Sequence, residues 1–178
     1  MPDPCPLLLA PRPLHPTIND AASQGNLDDV RYYLDNNFYS TKFRCRKNWT
    51  PLHEAASHGH LAVVMLLVCR GAELDAKSNP NDMTALHFAI SKGHTDIVNY
   101  LLNHDANPND VTDTGDTPLH LAMELDRVDV ADALLEHGAD PRIKNKQNKR
   151  PADMVTRNRH PIITYGCNYT MLSGSGQK

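Results

Sequence analysis

The sequence has few aromatic residues, no closely spaced cysteines and no long apolar run. It contains one Trp, three Phe and six Tyr among 178 residues. Its four cysteines (Cys5, Cys45, Cys69 and Cys167) include no CxxC pair, which favours free thiols in a reducing compartment over a disulfide scaffold. The apolar run Leu7–Ala10 is too short for a signal peptide or a membrane span. We therefore expect a cytoplasmic or nuclear protein that does not enter a membrane.

Neither acidic nor basic residues are in large excess, and the common catalytic motifs are absent from the sequence. The 18 Lys and Arg and 21 Asp and Glu give a net charge of −3, which argues against a dedicated nucleic-acid binder. The chain has no HExxH, no Gly-rich phosphate loop and no nucleophile elbow. We expect no enzymatic activity, no cofactor and no small-molecule substrate.

What the sequence does contain is an internal repeat of 33 to 34 residues. Thr50-Pro51-Leu52-His53 recurs as Thr84-Ala85-Leu86-His87 and as Thr117-Pro118-Leu119-His120. The pairs Gly59-His60 and Gly93-His94 keep the same period, as do Gly71-Ala72, Asp105-Ala106 and Gly138-Ala139. Several features that share one period indicate a stack of similar structural units.

Local physical chemistry predicts that each unit is a pair of helices. Thr50 can cap a helix through its hydroxyl, Pro51 suits the first helical position, and Gly59 can end the helix in a left-handed conformation. Asp105 takes the place of a helix-ending glycine, which Asp tolerates better than most residues. The predicted antiparallel pairs are 51–58 with 61–70, 85–92 with 95–104, and 118–125 with 128–137. Since one pair cannot bury its own apolar face, the pairs must stack, with Leu86 and Ala89 buried in the middle.

These motifs resemble the ankyrin repeat family. The resemblance implies an all-α solenoid of three clear repeats and two degenerate capping repeats over residues 17–160. The repeat boundaries are about 17–44, 45–78, 79–111, 112–144 and 145–160. The one-residue insertion that lengthens the second repeat lies in 76–83, at a hairpin tip. We expect 1–16 to be a flexible Pro-rich segment and 161–178 to be a C-terminal tail.

The same resemblance implies a monomeric module that binds a protein or peptide through its hairpin tips and first helices, on the concave face. Carried over position by position, the partner-binding residues are Arg44, Arg46, Lys47, Trp49, Ser57, His58, Met83, Lys92, Asp113, Asp116, Glu124 and Leu125. Trp49 is either an exposed anchor for the partner or a residue folded back over Leu52 or the Phe38–Tyr39 segment.

Most of the ten histidines have a structural interpretation under this resemblance. His53, His87 and His120 would hydrogen-bond the backbone of the neighbouring hairpin, and His60 and His94 belong to the turn between helices. A metal site at His58-Gly59-His60 would need further ligands, and none is evident in the sequence. We therefore predict no metal site.

Four alternatives remain open at the level of the sequence. The stretch from Thr117 to Lys149 resembles the closing repeats of a proteasome-assembly chaperone of the same family. The stretch from Trp49 to Ala55 resembles the tip of histone-tail-reading ankyrin domains, although Phe88 stands where those domains usually offer an acid. Basic hairpin tips could contact nucleic acid, which the net charge disfavours. Asn109 resembles the asparagine that asparaginyl hydroxylases modify in this family, and Asp75 occupies the equivalent position one repeat earlier.

Overall fold

The computed structural model of the chain describes residues 13–45 and 48–154. It contains eight α-helices and one 3₁₀ helix, and no strand within those two ranges. The α-helices are α1 (Ile18–Ser23), α2 (Leu27–Asp35), α3 (Pro51–His58), α4 (Leu61–Cys69), α5 (Ala85–Lys92), α6 (Thr95–Leu102), α7 (Pro118–Glu124) and α8 (Val128–Glu136). The three predicted helix pairs are confirmed, with ends that differ by one or two residues.

The helices stack as two parallel rows. The first helices of the repeats, which we call the inner helices (α1, α3, α5 and α7), contact one another in chain order. The second helices, which we call the outer helices (α2, α4, α6 and α8), form the adjacent row. In the described part of the closing repeat, the 3₁₀ helix Pro151–Met154 packs against α7 with Pro151 buried. The all-α solenoid predicted from the repeat period is therefore confirmed.

Each central inner helix begins with the same capping arrangement. The Thr50 side chain accepts a hydrogen bond from the His53 backbone, and the Thr50 backbone N–H donates to His53 Nδ1 at 3.0 Å. The pair Thr117 and His120 repeats this geometry, with a backbone-to-ring distance of 3.1 Å. A reciprocal cap satisfies two N–H groups that a helix end would leave unpaired.

Glycines at the ends of the inner helices receive a side chain from the next repeat. Gly59 has φ 80°, and a Cβ placed on it would lie 2.6 Å from the His94 ring. Gly25 faces the His60 ring in the same way, and Gly93 faces the guanidinium of Arg127. The sequence predicts a small change of packing where Asp126-Arg127 replaces Gly-His, and the structure shows Arg127 in the place that histidine takes in the earlier repeats. Asp105 adopts φ 65°, as predicted for a residue that replaces a helix-ending glycine.

One continuous hydrophobic core runs through the stack. Leu86 is 1% exposed and Ala89 is fully buried, which confirms the predicted register of the middle repeat. The small alanines at equivalent positions of the inner helices (Ala21, Ala22, Ala55, Ala56, Ala89 and Ala122) are all buried. Small side chains at these positions allow the inner helices to approach closely.

A backbone hydrogen bond closes the base of each hairpin tip between repeats, and a second one lies within each tip. Cys45 donates to Trp49, Thr112 to Asp116 and Asn145 to Lys149, each spanning four residues at 2.9 to 3.0 Å. The bond from Ser78 to Met83 spans five residues. The insertion predicted within 76–83 therefore lies at the hairpin tip, where an added residue leaves the helices undisturbed.

Candidate protein-interaction site

The inner helices hold the hairpin tips in place through one buried polar side chain per repeat. Nε2 of His53 lies 2.9 Å from the Ala76 carbonyl and 3.2 Å from the Met83 carbonyl, and Nε2 of His120 lies 3.0 Å from the Lys149 carbonyl. His53 Nδ1 accepts from the Thr50 backbone, so Nε2 carries the proton and donates. These contacts are the backbone ties that the resemblance implied for the histidines.

The opening repeat has Asn19 where the other repeats have this histidine. Asn19 is 5% exposed, and its Nδ2 donates to the Trp49 carbonyl at 3.1 Å. The sequence analysis missed this tie because Asn19 shares no motif with Thr-Pro-Leu-His. A backward step of 34 residues from His53 does reach Asn19, and that spacing is the signal that could have found it.

Burial keeps two of the tying histidines neutral. Desolvation lowers the pKa of His53 to about 4, because removing the ring from water disfavours its charged form. The pKa of His87 is lowered to about 4 for the same reason. The His87 ring is fully buried and faces the backbone of Asp110 and Asp116, the positions that correspond to Ala76 and Met83 beside His53. Its Nε2 lies outside close hydrogen-bond geometry, so the tie of the middle repeat is looser than those on either side.

Trp49 packs forward against the next repeat. The ring centroids of Trp49 and Phe88 are 4.5 Å apart at 51°, and the Phe88 ring stands edge-on to the His53 ring at 5.7 Å. Phe38 and Tyr39 contact Tyr32, Tyr33 and Phe43 instead. Trp49 and Phe88 are both half-buried. The aromatic pair therefore lies above the buried histidine at the junction of a hairpin tip and an inner helix.

Three further apolar side chains lie at outward positions, two of them equivalent to Trp49 and Phe88. Met83 is the tip residue that corresponds to Trp49, and Leu121 on α7 corresponds to Phe88 on α5; both are half-buried. Leu125, at the end of α7, is 43% exposed. Together with Trp49 and Phe88, they give the tips and inner helices a set of apolar groups in contact with solvent.

Some of the predicted partner-binding residues form contacts within the protein, and others are exposed to solvent. Arg44 pairs with Glu73 at 3.1 Å. Asp116 accepts from Asn145 Nδ2 at 2.7 Å and from the Thr114 hydroxyl at 2.6 Å. Exposed residues are His58, Lys92, Asp113 and Glu124, whereas Ser57 is half-buried. Arg46 and Lys47 lie outside the described residues.

Asn109 joins its own repeat to the next one. Its Nδ2 donates to the Gly138 carbonyl at 3.0 Å, and its Oδ1 accepts from the Asp140 backbone at 2.7 Å. Asp75 makes the corresponding contact one repeat earlier, where its Oδ1 accepts from the Asn107 backbone at 3.0 Å. In the fold, both residues therefore support the outer edge of the hairpins, and their role as hydroxylation sites stays a prediction.

The His58 and His60 rings are stacked, with centroids 6.2 Å apart. Over residues 13–45 and 48–154, no group of three or more His, Cys, Asp or Glu side chains is placed to hold a metal ion. None of the helices in those ranges has the length and apolar character needed to cross a membrane.

The sequence match to a known family identifies the class of protein. The sequence matches the family described as Ankyrin repeats (3 copies) over residues 14–78 and 74–145. The chain belongs to the ankyrin repeat family. The match begins beside α1 and ends beyond α8, so the ankyrin repeats account for all eight α-helices.

Individual relatives are similar to this ankyrin-repeat chain over part of their length. It is 34% identical over 93 residues to the serine/threonine-protein kinase TNNI3K of Mus musculus, with 48% of the chain and 11% of the kinase covered. It is 33% identical over 99 residues to protein phosphatase 1 regulatory subunit 27 of Homo sapiens, covering 56% and 64%. Ankyrin repeat and SOCS box protein 3 of Homo sapiens is 36% identical over 108 residues, covering 57% and 20%. The chain thus spans less than two thirds of each of these relatives.

Proposed function

We propose that this chain is a non-enzymatic module that binds a protein or peptide on the concave face formed by its inner helices and hairpin tips. The ankyrin family is a family of protein-interaction modules, and one relative is named as a phosphatase regulatory subunit. The similarity to a kinase covers only 11% of that protein and gives no reason to assign catalysis to this chain.

The observation that carries the proposal is the contact between Trp49 and Phe88. Both rings are half-buried, yet they pack mainly on each other and on the edge of His53. Aromatic side chains that remain partly in solvent above a rigid buried group are typical of binding hot spots. The pair therefore offers an ordered apolar anchor, with Met83 on the next tip and Leu121 on the next inner helix.

The geometry of the pair also limits the chemistry of the partner. A cage for a methylated lysine holds the cation against the faces of several rings. With centroids 4.5 Å apart, Trp49 and Phe88 fill the space between them. An apolar side chain that lies across the outer faces of both rings fits this arrangement better than a cation held between them.

The test is quantitative capture of binding partners with the full chain and two matched variants. Trp49→Ala should weaken the partner by about 2 kcal/mol or more, because it removes the larger half of the anchor. Phe38→Ala removes another ring, 61% exposed, that lies in the opening repeat, and should leave partner recovery unchanged. Mass spectrometry of the captured proteins compares the three chains, and thermal unfolding checks that each is folded.

Two results would contradict the proposal. If Trp49→Ala unfolds the domain, Trp49 is part of the core and not an anchor. If the variant is folded and captures the same proteins as the unchanged chain, the binding surface lies elsewhere.

A further inference from the structure

The outer helix of the second repeat differs from the other three at the positions that face solvent. Its exposed residues are Ala62, Met65 and Cys69, and Met65 is 44% exposed. The equivalent residues, one repeat period away, are Asp28, Arg31 and Asp35 on α2, Asp96, Asn99 and Asn103 on α6, and Asp129, Asp132 and Glu136 on α8. Of the four outer helices, α4 is thus the one with an apolar exposed row.

This apolar row is extended on the side of α6. Leu66 is half-buried beside it, and the Cys69 thiol lies close to the hydroxyl of Tyr100 on α6. The Tyr100 ring in turn packs on His104, with centroids 4.1 Å apart. An ordered apolar and aromatic surface therefore begins on α4 and continues onto α6, on the opposite side of the solenoid from Trp49.

The surface beyond it is strongly acidic. Four exposed acids lie on α6 and α8, namely Asp96, Asp129, Asp132 and Glu136. The whole stretch 93–141 contains eleven Asp and Glu but a single Arg and no Lys. That residue, Arg127, lies over Gly93 at the end of an inner helix. Within the described ranges, Asp96, Asp129, Asp132 and Glu136 form no ion pair, and the last three are exposed on α8. The α2 side carries both signs of charge, since Arg31 lies between the exposed Asp28 and Asp35 and Arg70 pairs with Asp35 at 2.6 Å.

We propose that the convex face formed by α4, α6 and α8 is a second docking surface, and that its occupant is an amphipathic peptide segment with an apolar anchor followed by Lys or Arg. The anchor covers Met65, Ala62 and Cys69, and the cations face the carboxylates of α6 and α8. Neighbouring helices in a stack lie about 8–10 Å apart, so α4 and α8 are about 20 Å apart. A helical segment of about 13 residues spans that distance at 1.5 Å per residue.

Charge complementarity selects this occupant over two others. An anionic membrane surface would be repelled by the carboxylates on α6 and α8. A second copy of the chain would place the same acidic surface opposite itself in a symmetric dimer, which like charges disfavour. A segment with apolar and basic residues satisfies both parts of the surface at once.

The experiment uses the full chain with labelled methionine methyl groups and two synthetic helical peptides of about 16 residues. The peptides share their leucines, and their polar positions are Lys in one and Glu in the other. In methyl NMR titrations, the Lys peptide should shift the Met65 signal and leave the Met83 signal in place. Met65→Gln should weaken its binding about tenfold, through lost apolar contact. Asp129→Asn with Asp132→Asn should weaken it about threefold at low salt, and less as salt is raised.

Controls separate this surface from the concave one. Gln24→Asn changes an exposed residue at the end of α1, outside this face, without altering charge, and should leave the affinity unchanged. Ala62→Gln repeats the apolar test if Met65→Gln alters folding. Trp49→Ala should leave binding of the Lys peptide intact, so failure here is distinguishable from failure of the concave site. The proposal is overturned if the Glu peptide binds equally well, if Met83 shifts in place of Met65, or if Met65→Gln has no effect. It is also overturned if the intact chain dimerises or binds anionic vesicles through Met65.

Discussion

The buried and the exposed positions of the inner helices follow different rules. At the buried positions, α3 and α7 are nearly the same, with a threonine cap, a proline, a buried leucine and a histidine tied to the next hairpin. At the half-buried position just after that histidine, which is in contact with solvent, the three central repeats carry Glu54, Phe88 and Leu121. Contacts between repeats demand the same residue types each time, whereas contact with solvent or a partner does not. Stability thus comes from the positions that repeat, and under the proposed function we expect specificity to come from those that do not.

Substitution of a buried leucine gives the largest expected difference between the two kinds of position. Leu86→Ala should lower the free energy of unfolding by about 2–5 kcal/mol, because it removes apolar contacts and leaves a cavity between repeats. Leu125→Ala, at a residue 43% exposed on α7, should change it by less than about 0.5 kcal/mol. Urea unfolding of both variants measures the difference. Similar losses would mean that the assigned register of buried and exposed residues is wrong.

A lower pH should reduce the free energy of unfolding through His53 and His87, two of the buried residues that repeat. The pKa of each ring is lowered to about 4 by burial, below the value of about 6.5 for an unfolded chain. The unfolded chain therefore binds more protons between pH 6.5 and pH 4, and the free energy of unfolding falls as pH falls through that window. The expected loss is about 2 kcal/mol per histidine between pH 7 and pH 5.

A single substitution isolates that effect of pH. His53→Gln should give a less stable chain whose unfolding free energy depends less steeply on pH, since one of the two titrating rings is gone. Urea unfolding at a series of pH values compares the slopes of the two chains. Equal slopes would show that protonation of His53 does not limit stability in acid.

Two aspartates of one hairpin tip give the smallest expected difference in stability between a bonded and an exposed position. Asp116→Ala should cost about 1–2 kcal/mol, because the nearly buried Asn145 amide loses a charged acceptor at 2.7 Å. The Asp113 side chain is exposed, so Asp113→Ala should cost less than about 0.5 kcal/mol. Thermal unfolding distinguishes them, and equal shifts in midpoint would contradict a structural role for Asp116.

The residues that repeat were the ones that could be predicted from the sequence. Helix bounds, threonine caps, the positive φ of Asp105 and the burial of Leu86 all follow from local patterns with one period. The contact between Trp49 and Phe88 does not, because it joins two residues that each occur once at their repeat position. The same holds for Asp116 with Asn145 and for Arg127 over Gly93. These contacts depend on which side chains meet across a repeat junction, and neither helical period nor capping preference contains that information.

Asp126 differs from the residues at the ends of the earlier inner helices. It stands where Gly25, Gly59 and Gly93 stand in the earlier repeats, and it too has a positive φ, 55°. Asp126 thus carries a Cβ at the position where those glycines leave room for a side chain from the following repeat. An engineer who wished to lengthen this protein by one ordinary repeat would first have to restore glycine at 126. Without that change, we expect an added repeat to lack the nesting contact that the earlier repeats share, and to be coupled to its neighbour more weakly.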